Sequence, residues 1–246
     1  MKATFKNNLK ITLVYVSIIV LLVGGAILNI FFGNPISKNI AKKHITGYVE
    51  TTYEGKEFTL SKPSYSVKDM GYHIYVTSHI SEDTQFTVSY CDGEIADNYK
   101  ECVADKNNTW SRLNAEFDYE VIEVFSQKYT ADIVYAGLGK QGKAYENLQL
   151  DMPLDMDNLP MPSFVSIHMK NDDITWEGLA ATTVDINEYF IENGITIDYY
   201  DVVLTAKAEG ASPSEVGVYE FPASLLKSES LPQVMKEHND KMISGK

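Results

Sequence analysis

The sequence has almost no arginine and a large excess of acid, which excludes nucleic acid as a ligand. Its 246 residues include 34 Asp or Glu and 21 Lys or Arg, giving a formal net charge of −13. Arg112 is the single arginine, so no cluster of guanidinium groups can hold phosphates. Because a surface of this charge repels a phosphate backbone, we predict that the protein binds no nucleic acid.

Cysteine is scarce as well. Cys91 and Cys102 are the only two, and no histidine stands near them at a spacing typical of zinc ligands. Outside the cytoplasm a disulfide between them would stabilise the fold by about 3 kcal/mol. Against this bridge, Cys91 ends a predicted strand opposite its apolar face, so Cys102 would have to wrap around to reach it. The sequence is compatible with a Cys91–Cys102 disulfide and with two separate thiols, and both alternatives are kept.

Motifs for catalysis and cofactor binding are missing or incomplete. None of the five histidines has a partner four residues on, and no serine stands in a G-x-S-x-G motif. Gly137, Gly139 and Gly142 match a dinucleotide-binding motif in spelling, but residues 143–151 leave no room for the helix that this motif needs. We interpret the three glycines as part of a flexible loop between domains.

The densest acidic segment does not have the pattern of a calcium loop. Asp155 and Asp157 lack the glycine and the distal glutamate of an EF-hand. We therefore predict no catalytic residue, no cofactor and no metal ligand. Because catalytic groups can also be assembled from distant parts of a chain, an extracytoplasmic envelope hydrolase without a recognisable motif is the alternative function.

One long segment, residues 11–32, carries no charge and is mainly apolar. At about 1.5 Å per residue, a helix of this length crosses the hydrocarbon core of a bilayer. Gly24-Gly25-Ala26 could serve as a signal-peptide cleavage site, but the apolar run continues to Phe32. We predict an uncleaved single-pass anchor over residues 1–33, with its N-terminus in the cytoplasm.

The rest of the chain is strongly acidic. Residues 1–44 contain six lysines and no acid, so residues 45–246 carry a charge of −19 within the total of −13. This charge keeps a protein soluble, and it also suits a cationic partner or a cation-rich wall. We expect residues 45–246 to lie outside the cytoplasm.

The first folded domain, residues 34–129, is predicted to begin and end with a helix. Asn34-Pro35 starts a helix that ends near Tyr53, because Asn is a good N-cap and Pro fits the first turn. A second helix starts at Asn108 or Thr109 and ends near residue 127, with one apolar stripe.

Between these helices, alternating residues predict an antiparallel meander. Strands cover residues 71–78 and 84–91, and an earlier strand at 58–67 contains Pro63, which favours an edge position. Asp92-Gly93 is a turn dipeptide that closes a two-residue hairpin.

Five short segments of this part follow one another in a recognisable order: NPIS at 34–37, GYHIYV at 71–76, DTQFTV at 83–88, DGEI at 92–95 and NTWSRL at 108–113. Together they resemble the YfjL-like family, single-pass membrane proteins of low-GC Gram-positive bacteria. The likeness covers residues 1 to about 128. It implies a membrane anchor, assigns no activity or catalytic residue, and does not include Cys91 or Cys102.

The second domain, residues 130–246, is predicted from less regular patterns. The chain is thus expected to be an α+β protein, with a transmembrane helix followed by two small α+β domains with antiparallel sheets. Its predicted elements are strands near 131–135 and 164–169, a helix at 175–193 ended by Gly194, strands at 195–205 and 216–221, and a helix after Pro232.

Tyrosine is abundant, with sixteen residues. Exposed tyrosines suit a binding surface, whereas alternating strand tyrosines are typical of sheet packing. We predict a membrane-anchored, extracytoplasmic protein that binds a protein or ligand, such as an envelope protein or a cationic partner, and that is not an enzyme. The tyrosines behind this prediction are Tyr72, Tyr75, Tyr90, Tyr99, Tyr199 and Tyr200.

Overall fold

The structure, a computed structural model, describes residues 14–25, 31, 33–139, 147–207 and 214–244. The chain divides into two compact units, Met1–Asp105 and Lys106–Lys246. Each unit combines helices with one sheet, so the predicted α+β class with two domains is confirmed.

Part of the predicted membrane anchor, residues 1–33, lies outside the described residues, namely 1–13, 26–30 and 32. Residues 14–25 are helical, and almost all of their apolar side chains are exposed. Among the helices of the described ranges, none combines the length and the apolar character that crossing a membrane requires.

The first unit packs one helix, α1 (Pro35–Thr52), against an antiparallel sheet. As predicted, Asn34 caps α1, because its Oδ1 accepts a hydrogen bond from the Ser37 N–H at 2.8 Å. The strands are β1 (Phe58–Leu60), β2 (Ser64–Ser66), β3 (Gly71–Ser78), β4 (Gln85–Cys91) and β5 (Glu94–Asp97).

The sheet of the first unit follows the predicted meander. The segment around Pro63 forms two short strands, β1 and β2, which both pair with β3. Asp92 and Gly93 have φ of 50° and 89°, and their turn places Cys91 opposite Glu94. These positive φ angles at both central positions are those of a type I′ turn, which confirms the predicted hairpin.

The core of the first unit lies between α1 and one face of the sheet. Near the end of α1, the Tyr48 and Tyr53 hydroxyls both donate to Asp97 Oδ2, at 2.6 and 2.8 Å, which ties the helix to β5. A short π-helix, Lys100–Ala104, adds Val103 to this core. This core also contains the buried side chains of Ile45, Val49, Ile74, Val76, Phe86 and Val88.

In its described residues, the second unit combines a four-stranded sheet with three α-helices, and the strands are hydrogen-bonded to one another in chain order. Its elements are α2 (Asn107–Lys128), β6 (Ile133–Leu138), β7 (Ser163–Asn171), α3 (Trp176–Glu192), β8 (Tyr199–Ala206), β9 (Glu215–Pro222) and α4 (Leu231–Ser244).

The second sheet is mixed, and the prediction of an antiparallel sheet there was wrong. β7 and β8 run parallel, with Ser166 opposite Asp201, while the other two pairs are antiparallel. The reason is the crossover through α3, because parallel neighbours need a long connection and a helix supplies it. As predicted, α3 ends before Gly194, whose φ is 76°.

Helix α2 belongs to the second unit, whereas the sequence placed it in a first domain ending at residue 129. Its apolar stripe, Leu113, Phe117, Val121 and Phe125, is buried in the core of the second unit. The division therefore falls at Asp105 rather than near residue 130. The stripe shows that the helix covers an apolar surface, but it does not identify the sheet that supplies this surface.

The polar side of α2 closes the edge of the second sheet. Asn114 Oδ1 accepts from the Leu138 N–H at 2.8 Å, and Asp118 Oδ1 accepts from the Ala136 N–H at 2.7 Å. Trp110 Nε1 donates to the Leu138 carbonyl at 2.9 Å. Asn114 and Asp118 are four residues apart on the helix, a rise of about 6 Å, and their partners Leu138 and Ala136 are two residues apart on the strand, a rise of about 7 Å. The spacing of the acceptors on α2 therefore matches the spacing of the donors on β6. Side chains of α2 thus replace a neighbouring strand along β6.

Replacing Asn114 by Ala should lower the free energy of unfolding by about 1–3 kcal/mol, because the N–H of fully buried Leu138 loses its acceptor. Asp118→Ala should cost a similar amount through Ala136. The matched control is Glu120→Ala, at an exposed position of the same helix, which should change stability by less than about 0.5 kcal/mol. Urea unfolding of the purified chain measures all three. Equal stability of Asn114→Ala and Glu120→Ala would contradict this role.

Candidate functional site

A cleft of about 470 Å³ lies on the face of the second sheet that points away from the core of that unit. Along β8, Tyr200, Val202 and Leu204 are buried in the core, so Tyr199 and Asp201 lie on the opposite face. The cleft is lined by Trp110, Tyr135, Phe164, Tyr199, Asp201 and Glu220, together with smaller residues.

Strand register brings these side chains together from distant parts of the chain. Tyr135 lies opposite Ser166, Phe164 lies opposite Tyr199, and Ser166 lies opposite Asp201. The Tyr135 and Phe164 rings are 5.7 Å apart between centroids. The register therefore places Phe164 and Tyr199 in one cross-strand row and Tyr135 and Asp201 in the next, so that aromatic rings and a carboxylate share this face of the sheet.

Glycine at position 137 is required by the geometry of the cleft. A Cβ there would lie 2.7 Å from the Phe164 ring and 2.8 Å from Asn114 Oδ1. The glycine thus lets Phe164 lie across β6 while Asn114 holds the sheet edge. The prediction of a loop between domains is wrong, because Gly137 and Gly139 both lie inside the second unit and Gly137 is part of β6; Gly142 lies outside the described residues.

The acidic side of the cleft is shaped by a break in the β8–β9 ladder. The register shifts between Tyr200 and Val202, and Glu220 has a φ of 46°. The Glu220 N–H donates to Asp201 Oδ1 at 2.5 Å. This bond holds Asp201 and Glu220 next to each other in the lining of the cleft. Aromatic faces beside carboxylates form an environment that favours an organic cation.

Cys91 and Cys102 are free thiols on separate elements. Cys91 ends β4, and its Sγ donates to the Asp69 carbonyl at 3.0 Å. Cys102 lies in the π-helix and packs against the core of the first unit. Desolvation and then Glu101 raise the pKa of the Cys102 thiol.

Cys91 stands near a histidine–carboxylate pair that the sequence analysis did not identify. His73 Nε2 lies 2.8 Å from Asp69 Oδ2. A nucleophilic cysteine needs a lowered pKa, but desolvation and the charges of Asp92, Asp69 and Glu94 raise the pKa of Cys91. The environment thus favours the protonated thiol, and this group does not support nucleophilic chemistry. The only feature of the sequence that could have indicated this pair is the spacing of four residues between Asp69 and His73.

Acidic residues do not assemble into a metal centre in the part of the chain that the structure describes. There, no three His, Cys, Asp or Glu side chains come close enough to hold an ion. Asp155 Oδ1 accepts from the Asp157 N–H at 3.0 Å, and Asp155 Oδ2 accepts from Asn158 Nδ2 at 3.0 Å. These bonds, with the Asn158 side chain first, lower the pKa of Asp155, so this acidic segment is a self-contained turn.

The tyrosines singled out in the sequence divide between core and surface. Tyr200 is fully buried, and its hydroxyl donates to Asn187 Oδ1 at 3.0 Å. Tyr199 lines the cleft of the second unit, and Tyr72 and Tyr90 line a cavity of the first unit. Trp110, Tyr135 and Phe164 were missed as site residues, because only the strand register brings them together.

Asp92→Asn should make Cys91 react faster with a maleimide at about pH 8. Removing this negative charge lowers the thiol pKa and so increases the thiolate fraction, while the larger contribution from desolvation stays. Asn tolerates the positive φ of the turn, so the fold should persist. Cys102 is the internal control, since Asp92 does not contribute to its pKa. Peptide mass spectrometry measures both rates, and an unchanged Cys91 rate would contradict the assignment.

Two family models match the chain. The YfjL-like N-terminal domain matches residues 8–99, and the YfjL-like C-terminal domain matches residues 111–236. The protein named Uncharacterized protein YfjL of Bacillus subtilis (strain 168) is 32% identical over 98 residues. That alignment covers 37% of this chain and 42% of the relative, less than half of its length. No solved structure matches the chain. The family resemblance found in the sequence is confirmed, and the C-terminal family model extends it beyond residue 128 into the second unit.

Proposed function

We propose that this chain, which belongs to the YfjL-like family, is a membrane-anchored binding protein that holds a cationic partner in the cleft of its second unit outside the cytoplasm. The observation that carries this proposal is the cleft itself. It places three aromatic residues, Tyr135, Phe164 and Tyr199, beside the carboxylates of Asp201 and Glu220.

The anchor is supported by composition and by exposure. Residues 11–32 carry no charge, and three lysines precede them. Apolar side chains such as Leu21 and Leu22 are exposed in the helical residues 14–25. Transfer of each such side chain from water into an apolar environment is favourable by about 1.5–3 kcal/mol, and the hydrocarbon of a bilayer supplies such an environment. With the α-amino group, four positive charges precede the run and three lysines, Lys38, Lys42 and Lys43, follow it, so the balance favours a cytoplasmic N-terminus by one charge.

The chemistry of the cleft supports binding. Ligand sites are concave and largely apolar with a few polar groups that fix orientation, and this cleft has that composition. Aromatic residues are the commonest anchors of binding energy. A cation is favoured because ring faces and carboxylates attract it together, and because residues 45–246 carry a charge of −19. A basic side chain of an envelope protein has this chemistry.

A photoreactive amino acid at Tyr135 should form a recurring adduct on intact cells, because 43% of this cleft side chain is exposed. The control position is Tyr119, which is 64% exposed on α2 of the same unit and does not line the cleft. Mass spectrometry of the purified chain detects adducts of any size, from a small ligand to a protein.

The adduct at Tyr135 should be lost when Phe164→Ala removes one of the aromatic rings of the cleft. Its yield should also fall as the salt concentration rises, because salt screens the attraction between a cation and the carboxylates. The proposal predicts no equivalent adduct at Tyr119. The same adducts at both positions, or none at Tyr135, would contradict binding in the cleft.

A further inference from the structure

We infer that one end of the first unit rests on the bilayer surface, held there by a rigid junction between the apolar run and the fold. This inference rests on the proposed membrane anchor and goes beyond it, since an anchor could equally be followed by a loose linker. Its partner is the boundary between lipid headgroups and acyl chains.

The elements of the first unit define two ends. The N-cap of α1, Asn34, bonds to Tyr72 near the start of β3. α1 finishes beside Tyr53, whose ring is 5.8 Å from that of Phe58, and Phe58 pairs with Ser78 at the end of β3. The helix and the strand therefore run side by side from the same end. We call the end that contains Asn34 and Gly71 the junction end.

At the junction end, the chain is clamped to the sheet. The Asn34 N–H donates to Tyr72 Oη at 2.9 Å, and the Tyr72 hydroxyl donates to the Asn34 carbonyl at 3.0 Å. Gly33 has a φ of 65°, and a Cβ there would collide with the Tyr72 hydroxyl. Gly33 therefore lies directly against Tyr72 of the sheet. No flexible linker separates Gly33 from the unit.

Apolar side chains are exposed around this clamp. Ile36 is 74% exposed and Met70 is 60% exposed, with Ile40 and Val67 also exposed. Ile40 and Met70 line one cavity of about 330 Å³ together with Gly33, the residue that follows the run in the sequence. Ile36 lies one helical turn before Ile40, on the same side of α1.

The composition of the junction end suits a lipid surface. Single exposed apolar residues are ordinary, but these four cluster at the end of an uncharged run of 22 positions, residues 11–32. Lys38 and Lys68 are exposed beside them and can reach lipid phosphates. Half-buried Tyr65 lines the same cavity, and tyrosine is favoured at membrane interfaces. Because the run ends one residue before the clamp, lipid is the nearest partner for this surface.

The test places an environment-sensitive fluorophore at Ile36→Cys in the full chain, in a background with Cys91→Ser and Cys102→Ser. The control is Ile80→Cys, an isoleucine that is 93% exposed just beyond the other end of β3, roughly 25 Å away along the strand. Both chains are reconstituted in phosphatidylcholine–phosphatidylglycerol vesicles with and without lipids that carry a nitroxide near the headgroup.

The label at Ile36→Cys should show blue-shifted emission and lose most of its intensity to the nitroxide lipids, while the label at Ile80→Cys should keep its intensity and a water-like spectrum. Vesicle-bound chains with equal, water-like spectra at both positions would overturn this inference and leave the anchor intact. Chains that do not float with the vesicles would instead overturn the proposed anchor. The two failures are thus distinguishable.

Discussion

The paired hydrogen bonds between Tyr72 and Asn34 fix the start of α1 on the sheet of the first unit. Asn34, two residues after the end of the run, caps α1 through its side chain and binds the sheet through both of its backbone groups. Loss of this contact would free the start of α1, whose buried residues, such as Ile45, hold the core against the sheet. Local capping, tertiary packing and the proposed orientation on the membrane all depend on the same few atoms.

In the second unit, α2 has two tasks on two faces. Its apolar stripe packs in the core, while Asn114 and Asp118 take the backbone donors that edge strand β6 would otherwise expose. An unprotected edge invites pairing with other chains, so this arrangement also guards against aggregation. The aromatic face beyond it stays concave, which gives the unit a surface suited to binding.

Local features of the fold could be predicted from the sequence, while features that depend on distant pairing could not. Asn34-Pro35 and Asp92-Gly93 determine a helix start and a turn through their own backbone preferences, and both predictions were correct. The predicted packing partner of α2 was wrong. In the sequence, Asn114 and Asp118 have the pattern of solvent-exposed helix positions, and only the structure shows that they accept hydrogen bonds from β6. A strand–helix–strand order around α3 did carry a signal for the parallel pair.

Labelling in intact cells tests the central claim, that an anchored chain presents its folded units outside the cytoplasm, most directly. A membrane-impermeant maleimide is applied to cells expressing Ile80→Cys with Cys91→Ser and Cys102→Ser, since Ile80 is 93% exposed and distant from the clamp. The account predicts labelling without permeabilisation, on a chain that stays with the membranes after an alkaline wash. Labelling only after permeabilisation, or a labelled chain in the soluble fraction, would contradict it.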